Sequence, residues 1–150
     1  MNILTISLQA NDGKSYALAD FAPKKVLLFA YPKDNTPGCT IENKEFSDRI
    51  ADFEKLGIQV IGISKDSVIA HEKFATGCNL KTLLLADEDA KLLSALGAIT
   101  EKSMFGKKYM GIERSTFLIN TDTGKVEKEW RKVTPIGHAA KLLSELSTMK

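Results

Sequence analysis

Cysteine is scarce in this chain: Cys39 and Cys78 are the only two among 150 residues. A disulfide scaffold is thereby excluded. None is needed at this length, because a domain of this size buries roughly two-thirds of its unfolded surface. An excess of one charge is missing too. Lys and Arg number 21 against 19 Asp and Glu, a net +2, too little to argue for nucleic acid as a partner. No apolar run reaches the roughly 18 residues of a membrane span. The N-terminus has neither the basic flank nor the apolar stretch of a secretory signal. Repeats, low-complexity tracts and linkers rich in Pro, Gly or Ser are absent, so residues 1–150 read as one domain. A composition of 43% hydrophobic and 27% charged residues excludes disorder, collagen and coiled coil as the dominant class. A reduced cytoplasmic enzyme is the expectation for such sparse cysteine.

The apolar pattern supplies the architecture. Residues 26–31, Val-Leu-Leu-Phe-Ala-Tyr, read as a buried strand followed by a loop over 32–38. A helix is expected from about Cys39, carrying Phe46, Ile50, Phe53 and Leu56 at spacings of four and three and stopping at Gly57. Residues 58–63 form a second buried strand. Asp66 or Ser67 caps a helix with Val68, His71, Phe74 and Cys78. Residues 82–86 make a short strand, and Asp87 to Asp89 cap a helix ending near Gly97. Residues 115–120 and 125–131 flank the turn Thr121-Asp-Thr-Gly124, a hairpin signal. A last helix runs over about 136–147. Asn11-Asp-Gly13, between Ile6/Leu8 and Tyr16/Leu18, signals an N-terminal hairpin. Crossover helices imply parallel strands and hairpins add antiparallel ones. The expectation is an α/β fold, one mixed sheet with helices on both faces.

Cys39 stands where chemistry is expected. It follows a strand and opens a helix, at the carboxyl end of the sheet where open α/β folds bind ligands. A helix N-terminus carries about half a positive charge and leaves N–H groups open. Both favour thiolate over thiol and raise nucleophilicity. The competing reading is a small buried hydrophobe. Thr36-Pro37-Gly38-Cys39 has the shape of a Cys-x-x-Cys redox turn with Thr for the first Cys, which removes the partner for dithiol exchange and supplies a hydroxyl. Pro32 and Pro37 stiffen the loop. Glu42, one turn on from Cys39, either orients an Arg or is a solvated first-turn carboxylate.

Pro32-x-x-x-Thr36-x-x-Cys39 resembles the active-site signature of the peroxiredoxins (AhpC/TSA superfamily). Tyr31-Pro-Lys-Asp-Asn-Thr-Pro-Gly-Cys-Thr40 is similar to the peroxiredoxin Q, or bacterioferritin comigratory protein, branch. Tyr109-Met-Gly-Ile-Glu-Arg114-Ser-Thr-Phe-Leu-Ile119 resembles the segment carrying that family's active-site Arg, here Arg114. Ile63-Ser-Lys-Asp66 and Leu85-Ala-Asp-Glu-Asp89 also fit, so the resemblance covers nearly the whole chain. It implies a thioredoxin-like fold and thiol-dependent reduction of hydrogen peroxide and organic hydroperoxides, with no cofactor or metal. Cys39 would be the nucleophile and Arg114 would hold thiolate and peroxide with its planar fork. Thr36 and open helix N–H groups would complete an oxyanion site. Thioredoxin or a similar dithiol would recycle the enzyme, as a monomer or weak homodimer.

Two departures from the family pattern stand out. The positions where such proteins carry a resolving cysteine hold Lys44 and Ala75, leaving Cys78, three residues past Ala75 on the same helix face. It either resolves or packs in the core, the second case giving a one-cysteine enzyme. The Ala-Pro-x-Phe segment before Ile3 is also missing, which is expected to cost an edge segment and not the chemistry. Three rivals are weaker. A disulfide oxidoreductase lacks vicinal thiols, and a non-catalytic, chaperone-like relative would lack Thr36 or Arg114. A zinc site of Cys39, His71, Cys78 and His138 lacks the expected spacings. His71 and His138 are read as polar helix residues without a role. Met104 and Met110, near Phe105 and Tyr109, either line an apolar patch beside the site or pack in the core, and core packing is the preferred reading.

Overall fold

The computed structural model describes residues 2–148, apart from the Met104 side chain. The N-terminal hairpin pairs β1 (Leu8–Ala10) with β2 (Ser15–Tyr16), its turn closed by Gly13 at φ +81°. A 3-10 turn, Leu18–Phe21, leads to β3 (Lys25–Ala30). Then come α1 (Pro37–Asp48), α2 (Ile50–Lys55), β4 (Ile58–Ser64), α3 (Val68–Gly77), β5 (Leu83–Ala86) and α4 (Lys91–Ala95). A hairpin of β6 (Ile99–Met104) and β7 (Lys107–Ile112) precedes β8 (Ser115–Ile119), β9 (Val126–Trp130) and α5 (His138–Thr148).

The main sheet has the order β2-β1-β5-β4-β3-β8-β9. β3, β4 and β5 run parallel, as their helical crossovers require, and β8 is antiparallel to β3. Alternation along β3 divides the core. Val26, Leu28 and Ala30 join Ile61, Ile63, Leu92, Leu93 and Phe117 on one face. Leu27, Phe29 and Tyr31 join Phe46, Phe53, Phe74, Leu118 and Leu142 on the other. α1, α2, α3 and α5 cover the second face, while α4 and the 3-10 turn cover the first. This is the expected mixed sheet with helices on both sides. Phe29 stacks on Phe46 with centroids 4.4 Å apart, so truncating either costs about 3–5 kcal/mol. Gly62 leaves room for that stack, because a Cβ there would lie 2.8 Å from both Phe29 and Leu84.

Two expectations change and a third, the cap at Asp87 to Asp89, is met at Asp87. The helix expected over 39–56 begins at Pro37, a favoured first-turn residue, and breaks at Arg49 (φ −110°, ψ 8°) into α1 and α2. Before α4, Asp87 is the capping residue: its carboxylate accepts from Lys91 N and Leu93 N at 2.8 Å, while Ala90 takes a left-handed turn at φ +56°. The β6–β7 hairpin was not expected. Its turn is Phe105-Gly106 with both φ positive, at 53° and 76°, the conformation Asn-Gly usually fills. Phe105 is 97% exposed, with Tyr109 and Met110 also exposed. These three residues are therefore not core packing; they stand on the arm leading to Arg114.

Candidate active site

Cys39 occupies the first turn of α1 and is fully buried. Thr36, the residue before the helix, bonds through its carbonyl to Thr40 N at 2.8 Å. Pro37 has no N–H, so the groups the helix leaves open are the N–H of Gly38 and Cys39. The helix begins here because Pro37 sets φ and Thr36 remains extended at φ −86°, ψ 154°. Thr36 Oγ1 does not cap the helix; it donates to Lys33 O at 2.9 Å. Its hydrogen is thereby used, leaving lone pairs toward a substrate. Of the two roles a hydroxyl can take, donor and acceptor, this geometry leaves Thr36 Oγ1 free as an acceptor. Pro32, half-buried, starts the loop.

Arg114 arrives from the end of the β6–β7 arm, just before β8. Its Nη2 donates to Cys39 Sγ at 3.1 Å and its Nη1 to Glu42 Oε1 at 2.5 Å. Glu42 is fully buried, which decides between its two readings: it orients Arg114. Its second oxygen, Oε2, lacks a hydrogen-bond partner. Burial pushes the Glu42 carboxyl up and Arg114 pulls it partly back, leaving it at about 7. Burial also opposes charge on Arg114, but Glu42 and Cys39 outweigh it and raise that guanidinium's pKa. The Arg114 cation is thus held 3.1 Å from the sulfur. Gly38 permits the approach: a Cβ there would sit 3.4 Å from Arg114 Nη2 and 3.3 Å from Pro135 Cγ.

Cys78 is outside this contact set. It follows α3 as its C-terminal cap, half-buried against the same apolar cluster as Cys39, and both thiols are free. The two histidines prove to be buried. His138, at the start of α5, shares a 2.8 Å hydrogen bond with Thr116 Oγ1, and burial, then Lys141 and Arg114, hold it down to about 4. His71 Nδ1 lies 2.6 Å from Asp34 Oδ2. Of the four side chains of the zinc reading, Cys39, His71 and His138 bond to separate partners. Among the described residues, the group of His, Cys and acidic side chains within common ligating reach is Asp34, Asp66 and His71. Sequence reasoning missed Asp34, whose only signal was its place inside the loop.

A thioredoxin-like fold holding an arginine-braced thiol at a helix N-terminus defines a thiol-based redox enzyme. A sequence model of the AhpC/TSA family matches residues 2–129. Peroxiredoxin Bcp of Bacillus subtilis is 44% identical over 144 residues, 96% of this chain and 91% of that protein. The solved Xanthomonas campestris peroxiredoxin Q is 37% identical with TM-score 0.92, covering 98% of this chain and 92% of that one. Similar too is a structure of X. campestris bacterioferritin comigratory protein, from work on its alkyl peroxide reduction activity with trapped intermediate/ligand complexes. Its TM-score is 0.91 at 37% identity, over 97% and 92% of the two chains. The chain belongs to the AhpC/TSA family as a peroxiredoxin of the Bcp/Q kind, and is an enzyme, a thiol peroxidase. Among the described residues no helix is long and apolar enough to cross a membrane.

Proposed function

We propose that Cys39 is the peroxidatic cysteine, acting on hydrogen peroxide and organic hydroperoxides. The observation that carries this is the buried Cys39 Sγ held 3.1 Å from an Arg114 that Glu42 braces. The thiolate attacks the terminal peroxide oxygen. The S–O bond forms as the O–O bond breaks, and the departing oxygen takes the electron pair and a proton, leaving as water or alcohol. Cys39 becomes a sulfenic acid. Thr36 Oγ1 accepts the hydrogen of the incoming peroxide. Arg114 and the N–H groups of Gly38 and Cys39 stabilise the charge developing on oxygen. No metal or cofactor enters any step.

Cys78 then attacks the Cys39 sulfur, water leaves, and the resulting disulfide is reduced by thioredoxin or a similar dithiol. Supporting this are its partial exposure and its place at a helix end, where backbone opens most easily. The protein would serve antioxidant defence in the cytoplasm, as a one-domain monomer or weak homodimer. One observation favours a second reading, a one-cysteine enzyme resolved by an external thiol: Cys78 packs on the apolar cluster. The test is NADPH consumption coupled through thioredoxin and its reductase, for wild type, Cys39→Ser and Cys78→Ser. Cys39→Ser should be inactive; substantial turnover sinks the nucleophile assignment. Cys78→Ser should consume one peroxide per chain and then cycle poorly; cycling at the wild-type rate selects the one-cysteine reading.

A further inference from the structure

Asp34 and His71 form a buried pair that the peroxide chemistry does not use. His71 is fully buried in α3. Its Nε2 lies 2.9 Å from Leu85 O, and its Nδ1 lies 2.6 Å from Asp34 Oδ2. A carbonyl only accepts, so Nε2 carries a hydrogen. The contact between Nδ1 and the Asp34 carboxyl is a hydrogen bond that joins the loop to α3. Asp34 makes two further bonds. Its Oδ1 accepts from Tyr31 Oη at 2.6 Å, and its N–H donates to Asp66 Oδ2 at 2.9 Å. Asp66 is itself held by Ser64 Oγ at 2.5 Å. The bonds to His71 and Asp66 fasten the loop between β3 and α1 to α3 and to the β4–α3 junction.

The same loop positions the reacting groups. Thr36 is tied to Lys33, the neighbour of Asp34, and Asn35 turns the chain at φ +63° before Cys39. Beside the pair lies a groove of about 410 Å³ between loop residues Lys33, Asp34 and Asn35 and the α3 side, where Phe74, Gly77 and Cys78 line it. The loop and Cys78 thus line one groove, and Asp34, the loop member of the pair, lies in its wall.

We propose that the Asp34–His71 pair is a pin that holds the Cys39 loop against α3 and sets how often the loop opens across this groove toward Cys78. The disulfide part of the proposal rests on the reading of Cys39 and Cys78 given above; the pin itself does not. Asp34 and His71 are positioning residues. Peroxide attack needs the closed loop beside Arg114, and disulfide formation needs the open one, so loosening the pin acts on the two steps in opposite directions. While the closed form stays in large majority, a tenfold rise in the open fraction speeds disulfide formation about tenfold and slows peroxide attack by less than about twofold. Faster resolution also leaves less sulfenic acid for a second peroxide, which would oxidise it to sulfinic acid with release of water or alcohol.

The experiment uses Asp34→Ala, which removes the pin, and Asp34→Asn, which keeps donor and acceptor atoms in place. The double variant Asp34→Ala/His71→Leu leaves no unpaired buried imidazole and serves if the single variant fails to fold. Hydrogen exchange on the reduced protein reads the opening directly. Rapid mixing with one equivalent of hydrogen peroxide reads the two chemical steps. With the pin removed, exchange in peptides covering 31–48 should rise about tenfold while β8 and β9 stay unchanged. Disulfide formation should speed by a similar factor, sulfinic acid yield should fall, and Asp34→Asn should return toward wild type. Unchanged exchange over 31–48, or a rise spread evenly through the chain, overturns the pin. If wild type forms no Cys39–Cys78 disulfide, the resolving reading falls, and the exchange result alone upholds or overturns the pin.

Discussion

Replacing Glu42 with Gln separates charge from shape at the centre of the site. Glu42 is fully buried and holds Arg114 at 2.5 Å. Its carboxyl is raised from the usual 4.5 to about 7, by burial first and against the pull of Arg114. A folded-state value above the unfolded one means the native protein binds the extra proton. The stability this contributes is fully present below pH 4.5 and is lost as pH rises through 7. At 1.36 kcal/mol per unit, the loss is about 3 kcal/mol across that window. Glu42→Gln cannot titrate, so its unfolding free energy should lack this decline. The curve of wild type minus variant should fall by that order between pH 4.5 and 7, other titrating groups cancelling. For activity, a hydrogen bond to a charged group contributes about 1 kcal/mol more than a neutral one. The variant should therefore reduce peroxide about five- to tenfold more slowly at pH 7.5. Urea unfolding at several pH values and stopped-flow peroxide kinetics give both numbers. A flat difference curve would refute the titration of Glu42, and an unchanged rate would refute the brace.

Arg114→Ala should slow peroxide reduction by more than about tenfold, the factor for 1.4 kcal/mol, and Arg114→Lys should recover only part, because the two-pronged contact to Cys39 and Glu42 is lost; equal rates in single-turnover assays would place Arg114 outside the chemistry. Thr36→Val removes both the bond to Lys33 and the acceptor for peroxide and should cost on the order of tenfold in kcat/KM, whereas Thr36→Ser should stay close to wild type; the reverse ranking contradicts the acceptor role. His138 is held down at about 4 by burial, then by Lys141 and Arg114, so its contribution is complete above pH 6.5 and disappears as pH falls through 4. His138→Asn should therefore be less sensitive to acid than wild type over pH 6.5 to 4 in urea titrations, and an identical acid profile would show that His138 is not the group responsible.

The sheet was legible because β3 and β4 are continuous apolar runs joined by a helical period, a pattern that leaves little choice of topology. Cys39 was legible as a strand-loop-helix cysteine, and Arg114 through its resemblance to a family segment. The β6–β7 arm was hidden because Phe105 fills a turn position where Asn or Gly is the usual signal. The role of Glu42 could not be read from spacing alone: a first-turn carboxylate is equally natural in water, and only burial decides. His71 looked like a polar helix residue because its partners, Asp34 and Leu85 O, are 37 and 14 positions away. Long-range polar pairs leave no periodic trace.

The most direct test of the central claim, that Cys39 poised by Arg114 is the peroxidatic thiolate, is intact-mass and peptide analysis after one equivalent of hydrogen peroxide. Reaction is followed in wild type, Cys78→Ser and Cys39→Ser. Cys78→Ser should gain one oxygen on the peptide containing Cys39, wild type should lose two hydrogens between the Cys39 and Cys78 peptides, and Cys39→Ser should leave the peroxide unconsumed. Rapid peroxide consumption by Cys39→Ser, or oxygen appearing first on Cys78, would contradict the account.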